Sequence, residues 1–361
     1  MTGLFPYPYR PCQEAMVAFI RNAVILGRNA VLESGTGTGK TSVSLSGALE
    51  GVAGTGRKIV YLTRTKSQHR QVAIECRAIS NNVPVVSVAV QGRGPSTCPL
   101  MLEDHELRDG DPEELSKLCG ELKKGNGPAG GCRYYQAISD STIESCASFI
   151  RGSGPDPEEF RDYCQALGVC PYEVTKKVLP FADVVSASYA FIFDPRIRSR
   201  FLSWMGVSEK DLVIIVDEAH NLPDYLRETG TCRYTQHALD LALSEARRAA
   251  DPAIGHGLRA SDMITAVREI LDGMVEDFLQ RENDVVPPDI LEEGLGSALG
   301  LTSAALREVG SWRSNSLTAR TRRLYSSLEI SSRSFLLTTD SIHPESRKIS
   351  LPFSGMAVAY G

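Results

Sequence analysis

The segment Ser34-Gly35-Thr36-Gly37-Thr38-Gly39-Lys40-Thr41 constrains this chain more than any other feature. It fits the phosphate loop G-x-x-x-x-G-K-[ST], with Ser34 standing where the first glycine is usual. Glycines at this density let the backbone fold around phosphates so that N–H groups point inward at a helix start. The lysine then neutralises the β/γ oxygens, and the following hydroxyl ligates magnesium. The order also suits the chemistry: a strand-like run at 30–34 precedes the loop, and a helical pattern at 42–52 follows it. A dinucleotide site fits less well, because residue 40 is lysine and Gly35 and Gly37 therefore lack the third glycine of G-x-G-x-x-G.

A nucleotide site needs a second carboxylate for its metal. The apolar run 212–216 supplies one by ending in Asp217-Glu218-Ala219-His220, the pattern of a Walker B strand. Asp217 is expected to hold magnesium, Glu218 to orient and deprotonate the attacking water, and His220 to couple the nucleotide to the rest of the protein. Further β-branched runs at 58–63, 83–90 and 184–187 alternate with amphipathic stretches such as 13–26. They predict an α/β fold with a parallel sheet and helices on both faces.

D-E-A-H resembles the superfamily two helicases, and other segments narrow the likeness. Tyr61-Leu62-Thr63-Arg64-Thr65 with Gln68 is similar to motif Ia of that superfamily, where a strand end and helix start grip the nucleic-acid backbone. The resemblance makes Arg64, Thr65 and Lys66 candidate DNA contacts, with Arg70 also suitably basic. It places Arg10 and Gln13, in Tyr9-Arg10-Pro11 with Gln13, where such helicases recognise adenine. Charge agrees: residues 1–97 hold eleven Lys/Arg against four Asp/Glu, although the whole chain is at −5.

Six of the nine cysteines fall between motif Ia and D-E-A-H: Cys98, Cys119, Cys132, Cys146, Cys164 and Cys170. None forms C-x-x-C, so a zinc ribbon is poorly supported, whereas an iron-sulfur cluster accepts wider spacings. The contexts Gly92-Arg93 to Thr97-Cys98, isolated Cys119, Cys132-Arg133-Tyr134-Tyr135 and Cys170-Pro171-Tyr172 resemble those of the XPD-like iron-sulfur DNA helicases, the family of XPD, FancJ and DinG. The run 185–189 with Phe193-Asp194-Pro195 is similar to that family's segment leading back into the motor.

The resemblance implies a RecA-like P-loop motor domain with an inserted iron-sulfur domain and an inserted helical arch domain. The expected boundaries are 1–91 and 181–224 for the motor, 92–180 for the cluster domain, 225–350 for the arch and 351–361 for a return to the motor. It implies that Cys98, Cys119, Cys132 and Cys170 ligate a four-iron four-sulfur (4Fe-4S) cluster, with Cys119 exchangeable for Cys146 or Cys164. The cysteine window is rich in Gly and Pro, so ligation would help to fold it. Cys12, Cys76 and Cys232 are expected to be ordinary buried thiols.

After residue 225 the pattern turns helical. Met263, Ile264, Val267, Ile270, Leu271, Met274, Val275 and Phe278 recur at helical spacing and predict a core stripe. Arg307, Arg313, Arg320, Arg322, Arg323 and Arg333 form a basic stretch suited either to a displaced single strand or to pairing with the acidic residues 251–293. Ser354-Gly355-Met356 departs from the family's Ser-Gly-Thr motif, and Gly361 arrives before a second motor domain. The sequence is therefore expected to be the N-terminal portion of a helicase, feeble in hydrolysis alone because the arginine finger would lie elsewhere.

Together these features predict an ATP-dependent, 5′ to 3′ DNA helicase using ATP, Mg2+ and a 4Fe-4S cluster on single-stranded and forked DNA, with repair-complex proteins as partners. The rival is a non-catalytic nucleic-acid-binding or scaffold protein that retains nucleotide and cluster. Without a secretory signal or a run of about 18 apolar residues, the expected setting is a reducing cytoplasm, prokaryotic and archaeal, with the chain monomeric and off the membrane.

Overall fold

Runs of Val, Ile and Leu with no polar alternation can be satisfied only where both faces of a sheet are covered. A computed structural model describes residues 3–35, 37–94, 97–103, 112–125, 131–230, 236–278, 290–310 and 356–360, and it builds such a sheet. Strands β1 (Ala30–Glu33), β2 (Lys58–Thr63), β3 (Ser87–Ala89), β4 (Val184–Ser188) and β5 (Leu212–Val216) are joined by β8 (Met356–Tyr360) in the order β1-β8-β5-β2-β4-β3. Every pairing in this sheet is parallel. Central β2 aligns Ile59 with Val184 on one side and with Val213 on the other, and all five residues of β5 are buried. Strands β6 (Ala253–Gly255) and β7 (Leu258–Arg259) form a separate antiparallel pair.

The run at 83–90 yields a strand of only three residues. Pro84 has no N–H to give a ladder, and the Val86 N–H is taken by the Asp183 carboxylate at 2.8 Å.

Helix α1 (Gln13–Ile25) leads into β1, while α2 (Lys40–Val52) and α3 (Lys66–Ile79) cross from β1 to β2 and from β2 to β3. The first two touch through glycine: a Cβ on Gly51 would lie 2.6 Å from Val24 Cβ, and one on Gly47 would lie 2.8 Å from the Val17 carbonyl. Alanine is ordinarily better than glycine in a helix by about 1 kcal/mol. Here overpacking, worth about 1–3 kcal/mol, should win. Gly51→Ala is therefore expected to lower the thermal midpoint, and a raised midpoint would show that α1 and α2 are not in this contact.

In α3, His69 is buried between the Thr63 hydroxyl (3.1 Å) and the Ser186 hydroxyl (3.0 Å). Burial pushes its imidazole down to about 4. Above its unfolded value of 6.5 the ring is neutral in both states and pH has no leverage through it. Below 6.5 the unfolded chain takes up a proton that the folded chain refuses, so stability falls until the pH reaches about 4. The full span is worth roughly 3 kcal/mol. His69→Gln should flatten this part of the stability–pH curve; an unchanged slope would mean that the proton goes elsewhere.

The chain divides into two compact units, Met1–Tyr225 with Ser350–Gly361, and Leu226–Ile349. The helices of the cysteine-rich segment, Pro99–Glu103, Pro112–Lys123, Arg133–Gln136, Asp140–Ser153, Pro157–Ala166 and Pro171–Val178, belong to the first unit. Arg70 and Arg77 of α3 bind this segment through Asp156 at 3.1 Å and the Gly154 carbonyl at 3.0 Å.

The second unit packs helices Gln236–Arg248, Ala260–Phe278, Ile290–Leu299 and Ser303–Gly310 around a core of its own. Met263, Ile264, Val267 and Met274 of the expected stripe are buried there, with Ile270 and Leu271 partly so; the Val275 and Phe278 side chains lie outside the described residues. So do Arg313, Arg320, Arg322, Arg323, Arg333, Ser354, Gly355 and the side chain of Arg307. Among the described residues no helix is long and apolar enough to cross a membrane.

Candidate functional site

The phosphate loop links the end of β1 to α2, where Gly37 and Gly39 both take φ of +76°. A side chain is strained in that region, and a Cβ on Gly39 would also come within 3.0 Å of the Gln13 amide. Ser34 fits here because its hydroxyl meets the Thr38 hydroxyl at 2.6 Å, and Thr38 in turn donates to the Gly35 carbonyl at 2.8 Å. Gln13, though polar, is buried; its amide donates to the Thr38 carbonyl at 2.7 Å, and its Oε1 accepts the Arg10 N–H at 2.8 Å. The Arg10 guanidinium reaches the Gly37 carbonyl at 3.2 Å. The two residues expected at adenine thus brace the loop from outside. Thr36 lies outside the described residues.

Lys40 Nζ donates to the Ser34 carbonyl at 3.2 Å and stands 4.0 Å from Glu218 Oε1. Lys40 of the loop and Glu218 just beyond β5, 178 positions apart in sequence, are therefore neighbours. Thr41 occupies the first turn of α2. Asp217 is buried, and burial followed by the adjacent Glu218 charge raises its carboxyl above the usual range, with Lys40 opposing. Two acids crowded against one lysine form a donor set that a divalent cation would relieve.

Glu218 takes a left-handed φ of 51°, a conformation costing a non-glycine residue about 1–2 kcal/mol. Tyr189 holds the turn by donating its hydroxyl to the Asp217 and Glu218 carbonyls. Burial and the two carboxylates push that phenol up to about 12, so it remains a donor at neutral pH. His220 Nδ1 lies 3.4 Å from Glu218 Oε2.

Thr65 caps α3 in a capping box with Gln68, leaving Arg64, Thr65 and Lys66 exposed at the helix start. Arg64 donates to Asn221 Oδ1 at 2.7 Å, and Asn221 Nδ2 lies 3.0 Å from His220 Nε2. Tyr189, Asn221 and the side chain of Gln68 were not among the site residues expected from sequence. T-x-x-Q signals the cap, but nothing local in the sequence signals what the other end of the amide or the Tyr189 hydroxyl would meet.

Cys98, Cys119, Cys132 and Cys170 line a single pocket. Cys132 and Cys170 each stand at the N-cap of a short helix, and the Cys170 N–H donates to the Tyr134 carbonyl at 3.0 Å. Cys146 and Cys164 do not line this cavity; their sulfurs are buried 4.0 Å from each other. Among the described residues no three His, Cys, Asp or Glu side chains converge on a single metal ion. The four thiols share the lining of this one pocket without forming such a group.

Beside the cavity, Glu173 is ringed by Lys176 (2.9 Å), Lys123 (3.0 Å) and Arg93 (3.8 Å), a local positive excess suited to an anionic group. Of the other cysteines, Cys76 is buried as expected and Cys232 lies outside the described residues. Cys12 is exposed, contrary to expectation, because it occupies a left-handed turn before α1 instead of the helix's inner face.

The DEAD_2 family matches residues 61–239. The chain is 24% identical over 326 residues to the general transcription and DNA repair factor IIH helicase subunit XPD/RAD3 of Saccharomyces cerevisiae, covering 81% of this chain and 40% of that protein. It is 25% identical to the regulator of telomere elongation helicase 1 homolog of Caenorhabditis elegans (68% and 26% covered) and 27% identical to the Fanconi anemia group J protein homolog of Gallus gallus (52% and 14% covered). The chain thus spans well under half the length of these relatives. A solved XPD helicase superposes with a TM-score of 0.51 at 18% identity, covering 81% of this chain and 48% of that one, a likeness of fold. These curated relatives are eukaryotic and lend no support to an archaeal source.

Proposed function

The chain belongs to the XPD-like superfamily two helicases, and from that premise we propose that it supplies the nucleotide-binding and strand-splitting half of an ATP-driven DNA helicase moving 5′ to 3′. The observation that carries the reading is the meeting of the Lys40 loop with the Asp217–Glu218 strand end, 4.0 Å apart at their closest charged atoms.

In this proposal Lys40 and the N–H groups of residues 35–40 hold the β- and γ-phosphates, and Thr41 and Asp217 hold Mg2+. When bound, Mg2+ neutralises and aligns the phosphate oxygens. Glu218 accepts the proton of a water whose oxygen bonds to the γ-phosphorus as the bond to the bridging oxygen breaks and ADP leaves. His220 positions Glu218. Arg10 and Gln13 hold the loop closed and stand where adenine is read. Arg64, Thr65 and Lys66 grip DNA phosphates at the start of α3, so strand binding and hydrolysis meet through Asn221 and His220.

Cys98, Cys119, Cys132 and Cys170 would hold a 4Fe-4S cluster, which when bound would tie the helices around residues 97–125 to those that follow. The cluster domain, residues 92–180, would split single-stranded from forked duplex DNA, and the helical unit would serve as the arch. The relatives' names, a transcription and DNA repair factor subunit and a Fanconi anemia protein, support a repair role with complex-forming partners.

The test is ATP turnover with and without single-stranded DNA, by this chain alone and joined to a second RecA-like domain. The joined form should be DNA-stimulated and unwind forks bearing a 5′ overhang, while the chain alone binds Mg-ATP but turns over about 10³-fold or more slower. Failure of both forms to bind Mg-ATP or single-stranded DNA would refute the reading, and a 3′-overhang preference would refute the direction.

A further inference from the structure

One amide spans two parts of the site. Gln68 Oε1 accepts the backbone N–H groups of Arg64 and Thr65, each at 2.9 Å, and so fixes the loop entering α3. Its Nε2 points the other way and donates to Asp217 Oδ2 at 3.1 Å, across 149 positions of sequence. A capping glutamine satisfies helix donors with its oxygen alone. The second bond has no role in the cap, and it falls on the buried carboxylate that the proposed function assigns to Mg2+.

We propose that Gln68 is a positioning residue for the magnesium carboxylate: its amide holds Asp217 in the orientation that ligates the cation and fastens that orientation to the loop bearing Arg64, Thr65 and Lys66. The inference rests on the reading of Asp217 as a magnesium ligand.

The physical reasons are local. A carboxylate on the last residue before a strained turn can rotate about two side-chain bonds, and the Tyr189 hydroxyl restrains only its backbone. Of the side-chain groups whose contacts are described, the Gln68 amide reaches a carboxylate oxygen of Asp217 within hydrogen-bond distance, whereas Lys40 acts on it through charge. Such a donor takes one lone pair of Oδ2, and the Glu218 backbone N–H also acts on the carboxylate, so the lone pairs that remain are the ones open to a cation. Outer partners of metal ligands typically contribute 10–100-fold to metal affinity.

The measurement is the Mg2+ concentration giving half-maximal binding of a fluorescent ATP analogue to the full chain, taken with the thermal midpoint in the absence of nucleotide. Two variants separate the roles. Gln68→Met removes both donor and acceptor, whereas Gln68→Glu keeps the capping oxygen and lacks the N–H. Both variants should raise the Mg2+ requirement about tenfold, and Gln68→Met should lower the midpoint through loss of the cap.

If Gln68→Glu keeps the unaltered chain's Mg2+ requirement, or if both variants do, the amide is a cap only and the proposal is overturned. If the unaltered chain binds the analogue without any dependence on Mg2+, the assignment of Asp217 fails first and takes this inference with it. The two failures are therefore distinguishable.

Discussion

Lys40→Ala is expected to weaken Mg-ATP binding by about 100-fold or more while leaving the nucleotide-free thermal midpoint nearly unchanged. The asymmetry follows from the position of the ammonium group. Without nucleotide its ion pair with Glu218 spans 4.0 Å with a third of the glutamate exposed, an arrangement worth little. With phosphates in the loop, the same group becomes the cation facing the β/γ oxygens in a closed site. Truncating one partner of a buried, hydrogen-bonded charge pair costs about 2–5 kcal/mol or more. Calorimetric titration reads the effect, and an affinity within threefold of the unaltered chain would mean that phosphates do not occupy this loop.

Cys132→Ser should lose most of the iron, with Cys98→Ser, Cys119→Ser and Cys170→Ser behaving alike, whereas Cys146→Ala and Cys164→Ala should retain about four iron atoms per chain. The contrast comes from the cavity: four thiols line it, while Cys146 and Cys164 face each other elsewhere. Because ligation energy is folding energy, residues 97–103 and 112–125, which bury few apolar side chains among those described, should also become open to proteolysis in the four serine variants. Iron analysis after anaerobic purification distinguishes the cases. Loss of iron in Cys146→Ala together with its retention in Cys119→Ser would exchange the assignments.

Much of the site was legible in sequence because its chemistry needs particular residues in contiguous order. The loop at 34–41 and the acids after residues 212–216 carry their own spacing, and the β-branched runs around them fixed a parallel sheet. What was not legible depends on which distant atoms meet. Gln68 reads as a cap, and only the register of β2 beside β5 brings its amide to Asp217. Tyr189 follows β4 by one residue, and nothing local reveals that its hydroxyl braces the turn at Glu218. Six cysteines without a C-x-x-C pair left the fourth ligand open between Cys119, Cys146 and Cys164, a choice that depends on helix packing. The exposure of Cys12 and the shortness of β3 turn on single backbone features, a left-handed turn and Pro84.

The most direct test of a cation-bound triphosphate between the Lys40 loop and the Asp217 strand end replaces Mg2+ with Mn2+ and uses pulsed electron–nuclear double resonance. Mn2+ bound with an ATP analogue should show phosphorus couplings, and both the bound metal and the couplings should be lost in Asp217→Asn. Phosphorus couplings of equal strength in Asp217→Asn, or Mn2+ held with no phosphorus nearby, would contradict it.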